Sequence, residues 1–202
     1  MNQSFMTKAV DHLRNSDTTL YTLIEKYGPC TLRPSLNNLF HALASSIISQ
    51  QLSIHAAKAI EAKFLDSLGA QYFTPEDILK IPSTISPIVG VSKAKLRYIR
   101  GLALAVESGN LNFTSILKNK DEEIISKLIS FSGIGTWTAE MFLIFGLGRP
   151  DVLSASDAAL RKAFKVNYKL SEPPSAEEMI SISKPWRPYR SIASWYLWRT
   201  LD

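Results

Sequence analysis

The chain has 202 residues, 46% of them hydrophobic, 20% charged and 10% aromatic, with 9 Gly, 10 Pro and a single Cys. This is the make-up of a folded globular protein, and it excludes a disordered, collagen-like or disulfide-stapled chain. Twenty-three Lys and Arg against 18 Asp and Glu leave a net charge of +5, which permits a nucleic-acid partner without establishing one.

The opening residues, MNQSFMTKAV, lack a basic stretch followed by an apolar one, and no apolar window of about 18 residues follows, so neither secretion nor membrane spanning is expected. The expected setting is intracellular: the nucleus in a eukaryote, the cytoplasm or nucleoid in a prokaryote. A first helix is predicted from Thr7 to Tyr27, closed by Gly28-Pro29, with a Pro-bounded link to residue 35. Apolar residues then recur at spacings of three and four in LFHALASSIISQQL (39 to 52), AAKAIEAKFLDSL (56 to 68) and LRYIRGLALAVESG (96 to 109), which is helical period. Between them IPSTISPIVGV (81 to 91) is rich in β-branched residues but broken by Pro and Gly, and reads as a turn plus a short helix. Further breaks at Gly109, Ser132-Gly133, Gly148-Arg149-Pro150 and Pro173-Pro174 divide the chain into about nine or ten helices, so the fold class is all-α. There is no repeat, low-complexity tract or charge block. His12, His41, His55 and Cys30 are too scattered for a zinc or iron–sulfur ligand set, and no metal site is expected among side chains.

The segment KLISFSGIGTWTAEMFLIFGLGRPDVLSASDAALRKAF (127 to 164) is the most informative. One helix ends at Leu128 and Ile129, Ser132-Gly133-Ile134-Gly135 makes a tight hairpin, and Thr136 to Phe145 forms a second helix. Two glycines one residue apart at a helix start let backbone N–H groups converge on an anion such as a DNA phosphate. A plain αα-hairpin with a glycine turn accounts for the same pattern. Further on, Ser154-Ala155-Ser156-Asp157 fits a capping box with Asp157 at the third helical position of a helix running to Val166.

Several separated blocks resemble the helix-hairpin-helix DNA glycosylase superfamily and, within it, the alkylpurine (3-methyladenine) DNA glycosylase II family. They are Ser49-Gln50-Gln51-Leu52-Ser53, the turn 89 to 95 (VGVSKAK), the hairpin 132 to 139 (SGIGTWTA), Asp151-Val152 with Asp157 beyond, and 184 to 190 (KPWRPYR). The match spans roughly residues 36 to 202. It implies a two-lobed helical fold with the active-site cleft between lobes. Residues 1–35 and 150–202 would form one lobe, and 36–149 the other, with the helix-hairpin-helix at about 127–145. The extra α/β domain of some members is not expected.

The same resemblance assigns roles. Asp157 falls on the catalytic aspartate, whose charge stabilises the positive sugar formed as the glycosidic bond breaks. The chain departs from the family at Ser154, where a Pro is common, and at Ser156, often acidic in the family. Trp137 occupies the position at which members that also cut the backbone carry a lysine, so the implied enzyme is a monofunctional hydrolase without lyase activity. Trp137 and Trp198, with Met141, would wall the base pocket, where each aromatic face offers a cationic base roughly 0.5 to 2 kcal/mol. Helical spacing alone makes Trp186, Trp195 and Trp198 core residues. Gln51, with Leu52 and flanked by Gln50, would fill the gap left by the flipped base, although a Gln pair at a helix end also serves as a cap or faces solvent. Lys93, Lys95, Arg97 and Arg100 would face phosphates, or simply solvent. Gly133, Gly135, Thr136 and Thr138 would hold phosphate at the hairpin. No cofactor is expected, the hairpin carbonyls being the one place for a monovalent cation. The implied partner is double-stranded DNA containing damaged bases, bound by a monomer, and the product is an abasic site. The alternative is a catalytically weak glycosylase-like protein that binds abasic or alkylated DNA.

Overall fold

The computed structural model describes residues 3–82, 84 and 89–201. The described residues contain twelve α-helices, one π-helical turn and two 3-10 turns, with no strand among them. The all-α class follows directly. The helices are shorter and more numerous than the Pro and Gly breaks suggest, and the short helix expected within 81–91 falls on 83 and 85–88, outside the described residues. No described helix is long and apolar enough to cross a membrane.

The chain forms two compact units, one from Met1–Pro34 with Leu143–Asp202 and the other from Ser35–Phe142. The second boundary lies inside the helical run after the hairpin, and not at the Gly148-Arg149-Pro150 break.

In the first unit, α1 (Gln3–Ser16) and α2 (Thr18–Tyr27) replace the single helix expected from Thr7 to Tyr27. The cause is Asp17. Its backbone is extended (φ −155°, ψ 120°), and its Oδ1 accepts the N–H groups of Thr19 (2.8 Å) and Leu20 (3.0 Å), starting a new helix. Its Oδ2 accepts the Tyr168 hydroxyl (2.8 Å) and Trp186 Nε1 (3.0 Å). Tyr168 and Trp186 both lie against the buried ring of Phe164, so one aspartate ties the N-terminal helix pair to the aromatic core of this unit. Burial, with that carboxylate beside it, holds the Tyr168 phenol far above its ordinary titration range. Asp151 anchors the 184–190 block through Arg187 (3.0 Å) and Arg190 (2.7 Å). Cys30 is buried, and desolvation pushes its thiol up to about 11.

In the second unit, α3 (Leu39–Ser49) is apolar almost all round and buries Leu39, Phe40, Leu43, Ile47 and Ile48. It packs against α4 (Ile54–Leu68), α6 (Lys93–Glu107) and the helix after the hairpin. Ser53 caps α4 and Ser92 caps α6, as their hydroxyls accept from Ala56 N and Lys95 N, each at 3.2 Å. Arg100 donates to the carbonyls of Ile78, Leu79 and Ile81 at the end of α5 (Pro75–Lys80), so it is a helix cap and not a phosphate-facing side chain. His41 sits beside Phe73 and Glu61, with burial holding its imidazole below the usual value, a half-buried histidine with local partners.

Asp17→Ala removes a cap and leaves a buried indole N–H without its acceptor, and is expected to cost about 3 kcal/mol. Thermal unfolding should show a fall of roughly 6–12 °C.

Candidate functional site

The hairpin joins α8 (Asp121–Ile129) to α9 (Thr136–Met141), both in the second unit. The expected helix from Thr136 to Phe145 is α-helical only to Met141, and continues as a π-helical turn over Phe142–Gly146. The two hairpin glycines are there for different reasons. Gly133 has φ +86°, and a Cβ there would lie 2.2 Å from the Tyr98 ring, so both backbone and space demand glycine. Gly135 has φ −98°, open to any residue, and a Cβ there would meet nothing within 4 Å. It is the N-cap of α9 and contributes no side chain, so the exposed start of the helix stays clear for close approach.

The side chains of Gln50 and Thr138 are turned toward the hairpin. The Gln50 amide donates to Gly133 O (2.7 Å) and Thr138 Oγ1 (2.9 Å), and Thr138 is only 2% exposed. Together they lash the end of α3 to the hairpin. Thr136 is exposed, as are Gln51, Leu52 and, on the first turn of α6, Lys93. Gln51 adopts φ +58°, rare for a residue with a Cβ. Lys95 is turned inward, donating from Nζ to Ile48 O (2.7 Å) and Gln50 O (2.8 Å), which corrects its reading as a phosphate contact. Arg97 is exposed and lies over the Tyr98 ring. Met141 is buried and Trp137 half-buried.

In the first unit, Asp157 is 8% exposed and is the N-cap of α10 (Ala158–Asn167). The expected capping box, with Asp157 at the third helical position, gives way to a turn from Ser154 to Asp157 that places Asp157 itself at the cap. Its Oδ1 accepts Leu160 N (2.5 Å) and the indole Nε1 of Trp198 (3.0 Å). The Trp198 ring lies 5.7 Å from that of Phe145 at 34°, and Phe145 is 37% exposed. Phe145 escaped the sequence reading, although the spacing of Trp137, Met141 and Phe145 by four residues was a signal for it. Ser154 is buried and Ser156 exposed. Trp186 is fully buried, as expected of a core residue, whereas Trp195 is half-buried beneath the Arg199 guanidinium. Among the described residues no group of three His, Cys, Asp or Glu is placed to hold a metal ion. Of the hairpin carbonyls, that of Gly133 already accepts Gln50.

Gly133→Ala is expected to destabilise the protein by about 2–4 kcal/mol, combining left-handed backbone strain with the Tyr98 overlap. Gly135→Ala should stay within about 1 kcal/mol of the parent. Urea unfolding of the two variants measures the contrast.

Residues 44–188 match the HhH-GPD superfamily of base excision DNA repair proteins. The alkylbase DNA glycosidase-like protein mag2 of Schizosaccharomyces pombe is 35% identical over 95% of this chain and 92% of the relative. The DNA-3-methyladenine glycosylase 1 of the same yeast is 33% identical over 96% of this chain and 87% of its own. Among solved structures, the S. pombe 3-methyladenine DNA glycosylase in complex with abasic DNA is similar with a TM-score of 0.85, at 33% identity and 96% coverage of both chains. A Bacillus halodurans DNA-3-methyladenine glycosidase is similar at 0.76, with 38% identity over 95% of this chain and 88% of that one. With the hairpin, the capped aspartate and matches of this extent in one sequence, the chain belongs to the HhH-GPD superfamily of base excision DNA repair proteins.

Proposed function

We propose that this protein is a monofunctional DNA glycosylase that removes cationic alkylated purines, of the 3-methyladenine and 7-methylguanine type, from duplex DNA. The observation that carries this reading is the Asp157 carboxylate, nearly buried and oriented by two N–H donors on one oxygen. Breaking the C1′–N bond sends its electron pair to the base, which leaves neutral because it began cationic. Positive charge then grows on the deoxyribose, where a fixed carboxylate lowers the barrier without having to reorganise. Water adds at C1′, its proton passes to solvent, and an abasic site remains.

The relatives named 3-methyladenine glycosylases support the substrate class. Trp137 offers no amine for a Schiff base, which favours hydrolysis without strand cleavage. The exposed pair Gln51 and Leu52 fits the gap left by the flipped nucleotide, and the open start of α9 at Gly135 fits a phosphate. The half-buried indole of Trp198, bonded to Asp157, fits an aromatic wall of the kind a cationic base prefers, and the half-buried indole of Trp137 is of the same kind in its own unit.

The second reading is a damage-binding protein with little turnover. It is favoured by the structural duty of Asp157, since a helix cap bonded to a tryptophan explains that residue without any chemistry.

Asp157→Asn separates the two, because an amide oxygen still accepts from Leu160 and Trp198 while the charge is gone. Release of 3-methyladenine from methylated duplex DNA is expected to fall about 100-fold with unfolding stability nearly unchanged. No release by the parent protein, together with tight binding to an abasic duplex, would establish the second reading instead.

A further inference from the structure

We infer that Lys95 is a positioning residue for damage recognition, its ammonium acting as an internal post that presets the loop presenting Gln51 and Leu52 to DNA. The inference rests on the proposed role of that loop and not on base release.

At the C-terminal end of α3 the helical ladder leaves carbonyls without N–H partners, and the helix dipole makes that end attractive to a cation. Lys95 meets both needs from α6, donating to Ile48 O at 2.7 Å and Gln50 O at 2.8 Å. The backbone then turns at Gln51 with φ +58°, a conformation that persists in a side-chain-bearing residue when its surroundings hold it. Leu52 N closes the turn on Ser49 O at 3.1 Å. Both tip side chains are exposed, Leu52 at 39%.

Leu52 lies with Ile60, Gly90 and Val91 on the rim of an open pocket of about 140 Å³. The anchors are polar: Lys95 beneath the turn, and the Gln50 amide fastened to Gly133 and Thr138 of the hairpin. Desolvation also lowers the Lys95 ammonium from its ordinary value, as befits a cation turned inward.

A phosphate contact and an internal post differ in salt dependence. Removing a phosphate contact weakens binding to every duplex and reduces the slope of log affinity against log salt by about one. Removing a post leaves that slope intact and lowers only the affinity that depends on a preset loop. The experiment measures binding of Lys95→Met to a duplex carrying a tetrahydrofuran abasic analogue and to its undamaged counterpart, across a salt series. The expected result is about a tenfold loss of preference for the abasic duplex, with undamaged-DNA affinity and salt slope unchanged. Lys95→Arg, which keeps charge and donors, should recover most of the preference.

If Lys95→Met fails to fold, Lys95→Gln reads the same pair of quantities, with a smaller loss of preference. A slope reduced by about one with equal weakening on both duplexes would overturn the proposal, as would an unchanged preference or a parent protein with none. A parent that releases no methylated base yet shows the expected pattern refutes the glycosylase reading alone.

Discussion

Every α-helix ends with N–H and C=O groups that its own ladder cannot satisfy, and a chain built from many short helices meets this demand again and again. Local serines answer it at the starts of α4 and α6. Elsewhere the answer comes from far away in sequence: Lys95 reaches back to the end of α3, and Arg100 to the end of α5. The residues that complete helix ends are in several cases the ones that shape the functional surfaces. Asp157 caps α10 and carries the proposed charge, and Gln50 joins the end of α3 to the glycine hairpin.

Two aspartates illustrate how the same chemistry serves two ends. Asp17 and Asp157 each cap a helix, and each accepts an indole N–H from a distant tryptophan. Asp17 divides its partners, with two backbone donors on Oδ1 and the Tyr168 and Trp186 donors on Oδ2, so that carboxylate is consumed by structure. Asp157 receives its cap donor and its indole on the same Oδ1. Structural and catalytic readings of Asp157 therefore do not compete: the bonds that make it a cap are also what would hold its charge still.

Period and punctuation in the sequence were enough for the all-α class, the hairpin and most helix positions. Quoted blocks such as SGIGTWTA were enough for the superfamily, because glycine pairs and spaced motifs are local signals. The break at Asp17 was written in Asn-Ser-Asp-Thr, a capping signal that lacks Gly or Pro and so passed for continuous helix. The π-helical turn at Phe142–Gly146 leaves no compositional mark in an apolar run. Lys95 was illegible for a different reason. Its lysine looks solvated on α6, and its acceptors are backbone carbonyls more than forty residues earlier, whose need depends on where α3 stops. The bond from the Gln50 amide to Thr138 and to a glycine carbonyl is likewise unannounced by sequence, because its partners lie more than eighty residues apart.

The single thiol has a consequence of its own. Thiolates are among the nucleophiles that alkylating agents consume fastest, and their reactivity depends on exposure and on the deprotonated fraction. Cys30 is shielded from solvent and titrates near 11, so at neutral pH it is almost wholly in the unreactive protonated form. A protein proposed to act where electrophiles have already modified purines thus holds its single thiol in the less reactive, protonated form. Holding the thiol this way takes away no active-site group, since none of the proposed chemistry calls on sulfur.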